Sequence, residues 1–260
     1  MNNVKRTAMP RQPFTAHEVE ATRSKLRDAA LRVFEREGYA AATMRSIARE
    51  ARCSAATPYV YFESKEALLT AIRAEGFRGL AECLEAAVEA STDPIQQLRG
   101  MLRGYIRFGL ARPQVYRLMF SHRQGDSAHL PVVRVPRQRS FAVARELCRR
   151  MVDAGLAMGD AVAQAHLLWL NCHGLVSLHL ANQLDLGADF ESLVDPLVEH
   201  WAGQFADGSS AERRPARSHS RSRASKHGRK RRRTRTRGRK NDPMVRGSRD
   251  AMPLATASAR

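Results

Sequence analysis

The chain has 260 residues, 43% of them apolar and 27% charged, with a formal net charge of +18 at pH 7. This length and composition suit one large globular domain or two small ones. No apolar run reaches the roughly 20 residues that a membrane-spanning helix requires, and the first residues lack the apolar core of a signal peptide. We therefore expect a protein that is neither exported nor bound to a membrane.

The positive charge is concentrated towards the C-terminus. Residues 208–260 hold 18 Lys and Arg against 3 Asp and Glu, whereas residues 1–207 hold 26 against 23. The run "RKRRRTRTRGRK" (Arg229 to Lys240) has no apolar period and cannot bury a core, so we predict a disordered basic tail over 208–260. Such a tail either binds DNA through its charge alone or is a solvated extension.

The elements begin with a flexible arm, predicted for residues 1–19. Apolar residues at helical spacing then start at Leu26 and stop before Gly38, a residue favoured just past the end of a helix. A second apolar stripe, from Met44 to Ala51, follows Thr43, which is a candidate N-cap. The spacing therefore predicts two helices separated by a short connection.

A second short connection leads to a third segment. The residues Arg52-Cys53-Ser54 join the second helix to a segment ending at Phe62, and Ser64 is predicted to cap a fourth helix that reaches Ala90. A helix, a three-residue turn and a short helix form the pattern of a helix-turn-helix motif, here 43–62. The same spacing also suits a plain helical hairpin with packed tyrosines, and spacing alone leaves that alternative open.

The composition of the third segment favours the DNA-binding interpretation. The second helix of such a motif enters a major groove about 12 Å wide, so its outer face needs small residues and a few polar side chains that reach outwards. Residues 54–57 are small, and Tyr59 and Tyr61 supply the reach. Pro58 fits a helix only near its start, which leads us to expect Thr57 as the N-cap.

The remaining chain predicts helices only. Asp93 followed by Pro94 marks the start of a helix to about Leu110, and Pro113 begins a short one. Residues 121–136 are expected to be a loop, because they contain Gly125 and two prolines. Further helices are predicted over 137–154, 160–184 and 190–205. The expected fold is all-α, with about nine helices and no strand.

The sequence offers no catalytic or metal-binding arrangement. The four cysteines show no CxxC pair and are expected to be reduced, mostly buried thiols, and no HExxH motif is present. No nucleophile elbow or phosphate-binding loop occurs either. We therefore expect no enzyme activity, no metal and no cofactor.

Residues Thr22 to Leu69, "TRSKLRDAALRVFEREGYAAATMRSIAREARCSAATPYVYFESKEALL", closely resemble the N-terminal domain of TetR-family repressors. The resemblance implies a three-helix DNA-binding domain over 20–80, with residues 54–62 as recognition helix. The residues that this resemblance and the small-residue face assign to DNA contact are Thr43, Arg45, Ser54, Ala55, Ala56, Thr57, Tyr59, Tyr61 and Lys65. The family usually has Gly where this chain has Arg52, and a left-handed arginine there costs about 1 kcal/mol.

Two stretches of the second half, "ARPQVYRLMFS" (Ala111 to Ser121) and "LWLNCHGLVSLHLA" (Leu168 to Ala181), resemble a C-terminal branch of the family. That branch is named for its Trp, His and Gly, which match Trp169, His173 and Gly174. The resemblance implies a ligand-binding and dimerisation domain over 85–205, whose last two helices pair across a two-fold axis. The candidate effector-pocket residues are Tyr105, Phe108, Tyr116, Met119, Phe120, Trp169 and His173, although an apolar stripe also suits ordinary core packing.

The function implied by the resemblance is regulation of transcription in the cytoplasm of a bacterium, at the nucleoid. The expected partners are double-stranded operator DNA, a small-molecule effector and a second copy of the chain, and the expected output is repression. The alternative is a nucleoid-type protein that binds DNA mainly through its basic tail.

Overall fold

A computed structural model of the chain describes residues 15–120 and 130–211, with side chains described as far as residue 205. Within these residues the fold is nine α-helices without a strand, as predicted. The helices are α1 (Ala16–Ala41), α2 (Met44–Glu50), α3 (Thr57–Tyr61), α4 (Lys65–Glu89), α5 (Pro94–Ala111), α6 (Pro113–Phe120), α7 (Pro131–Asp153), α8 (Ala161–Leu180) and α9 (Phe190–Ala211). None of these described helices combines the length and apolarity needed to cross a membrane.

Helix α1 begins earlier than the sequence predicts. Thr15 accepts a hydrogen bond from the backbone N–H of Glu18 (3.2 Å), and the Glu18 carboxylate accepts one from the backbone N–H of Thr15 (2.8 Å). This reciprocal capping starts the helix at Ala16, so the expectation of a flexible arm is wrong for residues 15–19. The rest of the predicted arm lies outside the described residues. The sequence predicts that this helix stops before Gly38, whereas α1 extends to Ala41 with a kink at Gly38, which takes a positive φ of 76°.

The turn after α2 has the backbone conformation that favours the glycine usual in the family, although this chain has Arg52 there. The N–H of Cys53 donates to the Ala48 carbonyl (3.0 Å), and the N–H of Arg52 donates to the Arg49 carbonyl (3.1 Å). This pair of bonds is a Schellman motif, which requires a left-handed residue at Arg52, and its φ is 53°. Arg52 therefore does take the left-handed conformation whose cost the sequence analysis considered.

The buried apolar residues form two clusters that meet along α4. One cluster lies within α1 to α3 and the first turns of α4, up to Ile72. The other begins at Ala74 and extends to Phe205, through α5 to α9. Helix α4 therefore contributes to both cores, while the domain limits of 20–80 and 85–205 stay a prediction.

Three predicted boundaries in the second half are wrong. Residues 131–136 belong to α7 instead of a loop, because Pro131 takes a first-turn position where a helix needs no N–H, and the helix continues through Pro136. Helix α8 ends at Leu180 rather than at 184, in a second Schellman turn with Asn182 at φ 53°. Helix α9 continues to Ala211, past the predicted start of the tail at 208, whereas the tail from residue 212 lies outside the described residues.

Candidate DNA-binding surface and effector cavity

The helix predicted to read DNA, α3, is only five residues long. Residues 54–56 form a turn that precedes the helix. In this turn the Thr57 N–H donates to the Ser54 carbonyl (3.0 Å), and the hydroxyls of Ser54 and Thr57 lie 2.8 Å apart. Ala56 occupies the N-cap position without a side-chain bond, so the expectation that Thr57 is the N-cap is wrong. Pro58 follows at the second helical position, where an N–H has no helical partner to lose.

The side chains of α3 divide sharply between core and solvent. Pro58 is buried, whereas Tyr59 is 59% exposed and Val60 is 76% exposed. Tyr61 is half-buried, and the turn residues 54–56 are exposed. The structure thus presents Tyr59 and Val60 together as the outermost side chains of the helix. The sequence interpretation missed Val60. Its position between two tyrosines in so short a helix could have indicated that it lies on a face of α3 that is exposed to solvent.

A side chain from α1 holds the C-terminal end of α3. The Arg23 guanidinium donates to the Tyr61 carbonyl (2.7 Å) and lies 4.4 Å from the centroid of the Phe62 ring. The bond satisfies a carbonyl that a helix end leaves without a partner. Because the two residues are 38 positions apart, local sequence patterns did not identify Arg23.

The two candidates at the start of α2 are both exposed. The Thr43 hydroxyl already accepts the Ser46 N–H (3.0 Å), while the Ser46 hydroxyl accepts the Thr43 N–H (3.0 Å). Thr43 is therefore the N-cap, as the sequence predicts, and it stands at a helix N-terminus that suits a phosphate oxygen. Arg45, two residues after Thr43, is exposed at the second position of α2.

Lys65, at the first position of α4, is fully engaged within the protein. Its ammonium donates to the carbonyls of Tyr39 (2.7 Å), Ala42 (2.8 Å) and Ala40 (3.3 Å) and lies 4.5 Å from the centroid of the Tyr39 ring. The Tyr39 hydroxyl donates to the Glu66 carboxylate (3.1 Å), and burial together with that carboxylate raises the pKa of Tyr39 to about 12. Lys65 thus joins α4 to the end of α1, and its predicted DNA contact stays a prediction.

The second half contains a cavity of about 1190 Å³ that is partly open to solvent and is lined by residues of α4, α5, α6, α7 and α8. Four of the seven predicted pocket residues line it: Tyr105, Met119, Phe120 and Trp169. The other three, Phe108, Tyr116 and His173, are absent from its lining. Phe108 lies instead beside Gly79 and the Arg112 guanidinium, one turn further along α5 than Tyr105.

The remaining two residues, Tyr116 and His173, belong to a hydrogen-bonded chain that reaches the cavity through Tyr105. The Trp169 indole N–H donates to the Tyr105 hydroxyl (3.1 Å), which lies 3.1 Å from the Tyr116 hydroxyl. The Tyr116 hydroxyl lies 2.7 Å from His173 Nδ1, and Ser177 Oγ lies 3.3 Å from His173 Nε2. Both ring nitrogens of His173 therefore have partners.

The protonation states in this chain follow from burial. Burial lowers the pKa of His173, which favours the neutral imidazole at neutral pH. Burial also raises the pKa of Tyr105 and Tyr116, so both phenols keep their protons. Among the described residues no group of His, Cys, Asp and Glu is arranged to hold a metal ion. The arrangement suits neutral hydrogen bonding and a fixed orientation of the Tyr105 and Trp169 side chains.

The cavity also has a feature that the sequence interpretation missed, namely four arginines in its lining. They are Arg73 on α4 and Arg137, Arg139 and Arg145 on α7. Because the sequence predicted a loop over residues 121–136, it did not indicate that the start of α7 packs against α4 and brings its arginines to the cavity.

Comparison with known proteins identifies both halves. Residues 26–72 match the family described as "Bacterial regulatory proteins, tetR family", and residues 98–201 match "Tetracyclin repressor-like, C-terminal domain". Neither description names the Trp-His-Gly branch, so that finer assignment stays a prediction. The matches do not favour a nucleoid-type protein that acts through its tail.

Individual relatives are similar over different lengths. The chain is 39% identical over 71 residues to the HTH-type nicotine-responsive transcriptional repressor HdnoR of Paenarthrobacter nicotinovorans, an overlap of 27% of this chain and only 37% of HdnoR. It is 30% identical over 187 residues to the HTH-type transcriptional activator FasR of Mycolicibacterium smegmatis, covering 70% of this chain and 82% of FasR.

A solved structure extends the likeness to the fold. A protein with unknown function from Rhodococcus sp. RHA1 superposes with a TM-score of 0.61 at 27% identity, covering 77% of this chain and 98% of that one. Family matches in both halves, an exposed α3 and a relative aligned over most of its length lead to one conclusion: the chain belongs to the TetR family and is a DNA-binding regulator of transcription.

Proposed function

We propose that the chain is a homodimeric repressor that binds operator DNA through α3 and releases it when a small molecule occupies the cavity. The observation that carries the proposal is the course of α4. Its first turns, with Leu68 and Ile72, pack in the helix-turn-helix core, while Leu80 further along the same helix lines the cavity. One continuous helix therefore joins the two regions. Because its partner is chromosomal DNA, the place of action would be the bacterial nucleoid, within the cytoplasm.

The proposed DNA contacts divide by role. Tyr59 and Val60 would contact base edges, with Val60 suited to the methyl group of thymine, and Tyr61 would contribute its free edge. The small residues 54–57 would allow the backbone to approach the groove closely. The start of α2, with Thr43 and Arg45, would contact phosphates and set the orientation. Lys65 would contact a phosphate only by giving up one of its backbone bonds.

The proposed response to an effector uses α6 as well as α4. Met119 and Phe120, at the end of α6, line the cavity, and Gln114 near its start donates to the Glu35 carboxylate on α1 (2.6 Å). A ligand that favours one position of α6 would also favour one position of α1 and α4. The size of the response is limited by the difference in ligand affinity between the two conformations.

The proposed dimer interface is the outer face of α8 and α9. Leu167, Leu170 and Leu178 are exposed on α8. Gly174, which is half-buried, lies between Leu170 and Leu178 at the same helical spacing. A Cβ atom added at Gly174, or at Gly203 on α9, would meet nothing within 4 Å, so a partner helix has room to approach. A two-fold dimer presents its two recognition helices about one DNA turn, roughly 34 Å, apart.

The test is binding of the full-length chain to DNA from its own upstream region and to random DNA, each at two salt concentrations. We expect strong preference for the upstream fragment, and a loss of at least tenfold in Tyr59→Ala and a smaller loss in Val60→Ala. Leu186→Ala, another exposed apolar residue, is the matched control and should bind as the parent does. Equal affinity for both DNAs, unaffected by Tyr59→Ala, would show that α3 does not read sequence.

Two further measurements decide the assembly and the sign of regulation. Gly174→Arg adds a long cation where the protomer has open space, so it should shift the sedimentation coefficient from dimer to monomer without lowering helix content. An unchanged coefficient would reject this interface.

Repression is proposed because HdnoR is named a repressor, whereas FasR is named an activator, so the sign of regulation needs its own test. If the chain is a repressor, a reporter gene behind the upstream region should show increased expression when the chain is deleted.

A further inference from the structure

The cavity combines two kinds of wall. Buried apolar side chains of α4 and its neighbours form one part, including Phe77, Leu80, Leu84, Leu102 and Leu168. Its volume of about 1190 Å³, part of which is open to solvent, leaves room for a ligand within the usual size range of small-molecule sites, roughly 300–1,000 Å³. The apolar part favours an extended hydrocarbon body over a small polar metabolite.

The other part of the wall is cationic. Four arginines and, among the described residues, no Asp or Glu line the cavity. Arg139 is bound on its outer side to the Glu85 carboxylate (2.8 Å from Nε to Oε1). In the part of the chain that the structure describes, Arg137 and Arg145 form no ion pair. The carboxyl of Glu146, beside Arg145, is bound to Arg149, and this bond is the main cause of its lowered pKa.

The arginines are placed where a single ligand can reach several of them. Arg137, Phe141 and Arg145 are spaced at i, i+4 and i+8, which puts them along one face of α7. Arg73 on α4 is only 4% exposed, and its guanidinium donates to the Met119 carbonyl at 3.4 Å. Arg73 on α4 and Arg137 on α7 both line the cavity. Burial, and secondarily the positive charge of Arg137, hold the pKa of Arg73 below its ordinary value.

We propose that the effector is an amphipathic anion, with a hydrocarbon body against α4 and a carboxylate or phosphate head between Arg137, Arg145 and Arg73. An anionic head can form charge-assisted hydrogen bonds to the arginines of α7 that line the cavity, whereas a neutral ligand forms weaker bonds and a cationic one is repelled. This assignment of ligand class rests on the proposed function of the cavity as the effector site.

The experiment uses Trp169 as a reporter of the cavity. The chain has two tryptophans, so Trp201→Phe leaves Trp169, whose ring lines the cavity, as the sole source of indole emission. Anions that bind elsewhere, including at the basic residues near the C-terminus, are thereby distinguished from anions in the cavity. Equal melting temperatures with and without Trp201→Phe, and calorimetric titration of the unsubstituted chain, check that the reporter is intact.

The full-length reporter chain is titrated with dodecanoate, monododecyl phosphate, 1-dodecanol, dodecyltrimethylammonium and inorganic phosphate, each below its aggregation concentration. We expect one or both dodecyl anions to bind about tenfold or more tightly than 1-dodecanol, since hydrogen bonds to charged groups are worth about this factor. The comparison of dodecanoate with dodecyl phosphate separates a carboxylate source from a phosphate source. Inorganic phosphate alone should bind at least tenfold more weakly than dodecyl phosphate.

Variants of α7 test the arginines directly. The double variant Arg137→Gln and Arg145→Gln should lower affinity for the anion about tenfold, towards that of the alcohol, and leave affinity for the alcohol unchanged. Arg150→Gln, exposed on the same helix but outside the lining, is the matched control and should have no effect. Equal binding of anion and alcohol, tighter binding of the cation, or an unaffected double variant would overturn the assignment.

Operator binding by the same samples separates this inference from the proposed function. If the anion occupies the cavity but the operator stays bound, the ligand class stands and the release mechanism fails. If the operator is bound specifically but only neutral or cationic compounds change Trp169 emission, the regulator stands and the ligand class is wrong.

Discussion

At the scale of single residues, Arg52 carries a conformation that its side chain disfavours. The left-handed φ of 53° is required by the turn between α2 and α3, and an L-residue with a Cβ atom pays roughly 1–2 kcal/mol there. We predict that Arg52→Gly stabilises the protein by about 0.5–1 kcal/mol. The substitution relieves backbone strain in the folded state, and this gain exceeds the loss caused by the higher conformational entropy that glycine gives the unfolded chain. Urea denaturation measures the change.

Asn182 is the matched comparison for that prediction, since its φ is also 53°. Asparagine tolerates the left-handed region better than arginine, so Asn182→Gly should gain less than Arg52→Gly. A loss of stability in Arg52→Gly would mean that the arginine side chain makes a contact worth more than the strain.

Lys65 gives a second prediction at this scale, because its three backbone bonds exist without DNA. Lys65→Met keeps the aliphatic stem and removes the ammonium, and should lower the free energy of unfolding by about 1–3 kcal/mol in the absence of DNA. Lys25→Met, at an exposed lysine of α1, should change it by less than about 0.5 kcal/mol. A Lys65→Met chain as stable as the parent, but with weaker DNA binding, would assign Lys65 to phosphate contact alone.

At the scale of elements, two glycines in the middle of helices have opposite surroundings. A Cβ atom at Gly76 on α4 would lie 2.7 Å from the Met119 sulfur and 2.8 Å from Val115 Cγ1, whereas one at Gly174 on α8 meets nothing within 4 Å. Helices α4 and α6 therefore cross in direct contact at Gly76. This crossing lies beside the cavity, because Met119 lines it.

We predict that Gly76→Ala destabilises the protein by about 1–3 kcal/mol through overpacking against the branched Val115. Gly174→Ala should instead be neutral or stabilising by up to about 1 kcal/mol, since alanine favours a helix interior. Denaturation at low protein concentration measures both without a contribution from dimerisation. Similar effects of the two substitutions would show that α6 moves aside readily at Gly76.

The sequence predicted elements well where local bonds define them. The caps at Thr43, Ser64 and Asp93 bond to N–H groups two or three residues away, and each begins a helix as expected. The same local reasoning was wrong for residues 131–136, because prolines are tolerated in a first turn and the packing of α7 on α4 extends the helix through Pro136. Contacts between distant helices thus decided where α7 starts, and composition alone had predicted a later start.

At the scale of the whole molecule, the basic region contributes most of the net charge. Truncation after Ala211 keeps α9 whole and removes residues 212–260. We predict weaker binding to operator and random DNA alike and a shallower dependence of affinity on salt, since fewer counterions are released from DNA. Filter binding across a salt series measures the slope. An unchanged slope would show that this region does not contact DNA.

The sequence alone determined the all-α fold, the helix-turn-helix and the family, because caps, apolar spacing and the motif lie within short stretches of chain. It also predicted that Tyr59 reaches outwards from its helix, and it named four residues that line the cavity. Only the tertiary structure decided that Val60 is exposed, that Lys65 binds carbonyls 23 to 26 residues away, and that arginines of α4 and α7 share one cavity. Such contacts depend on which helix faces pack together, and that choice is made by the whole core rather than by neighbours in sequence.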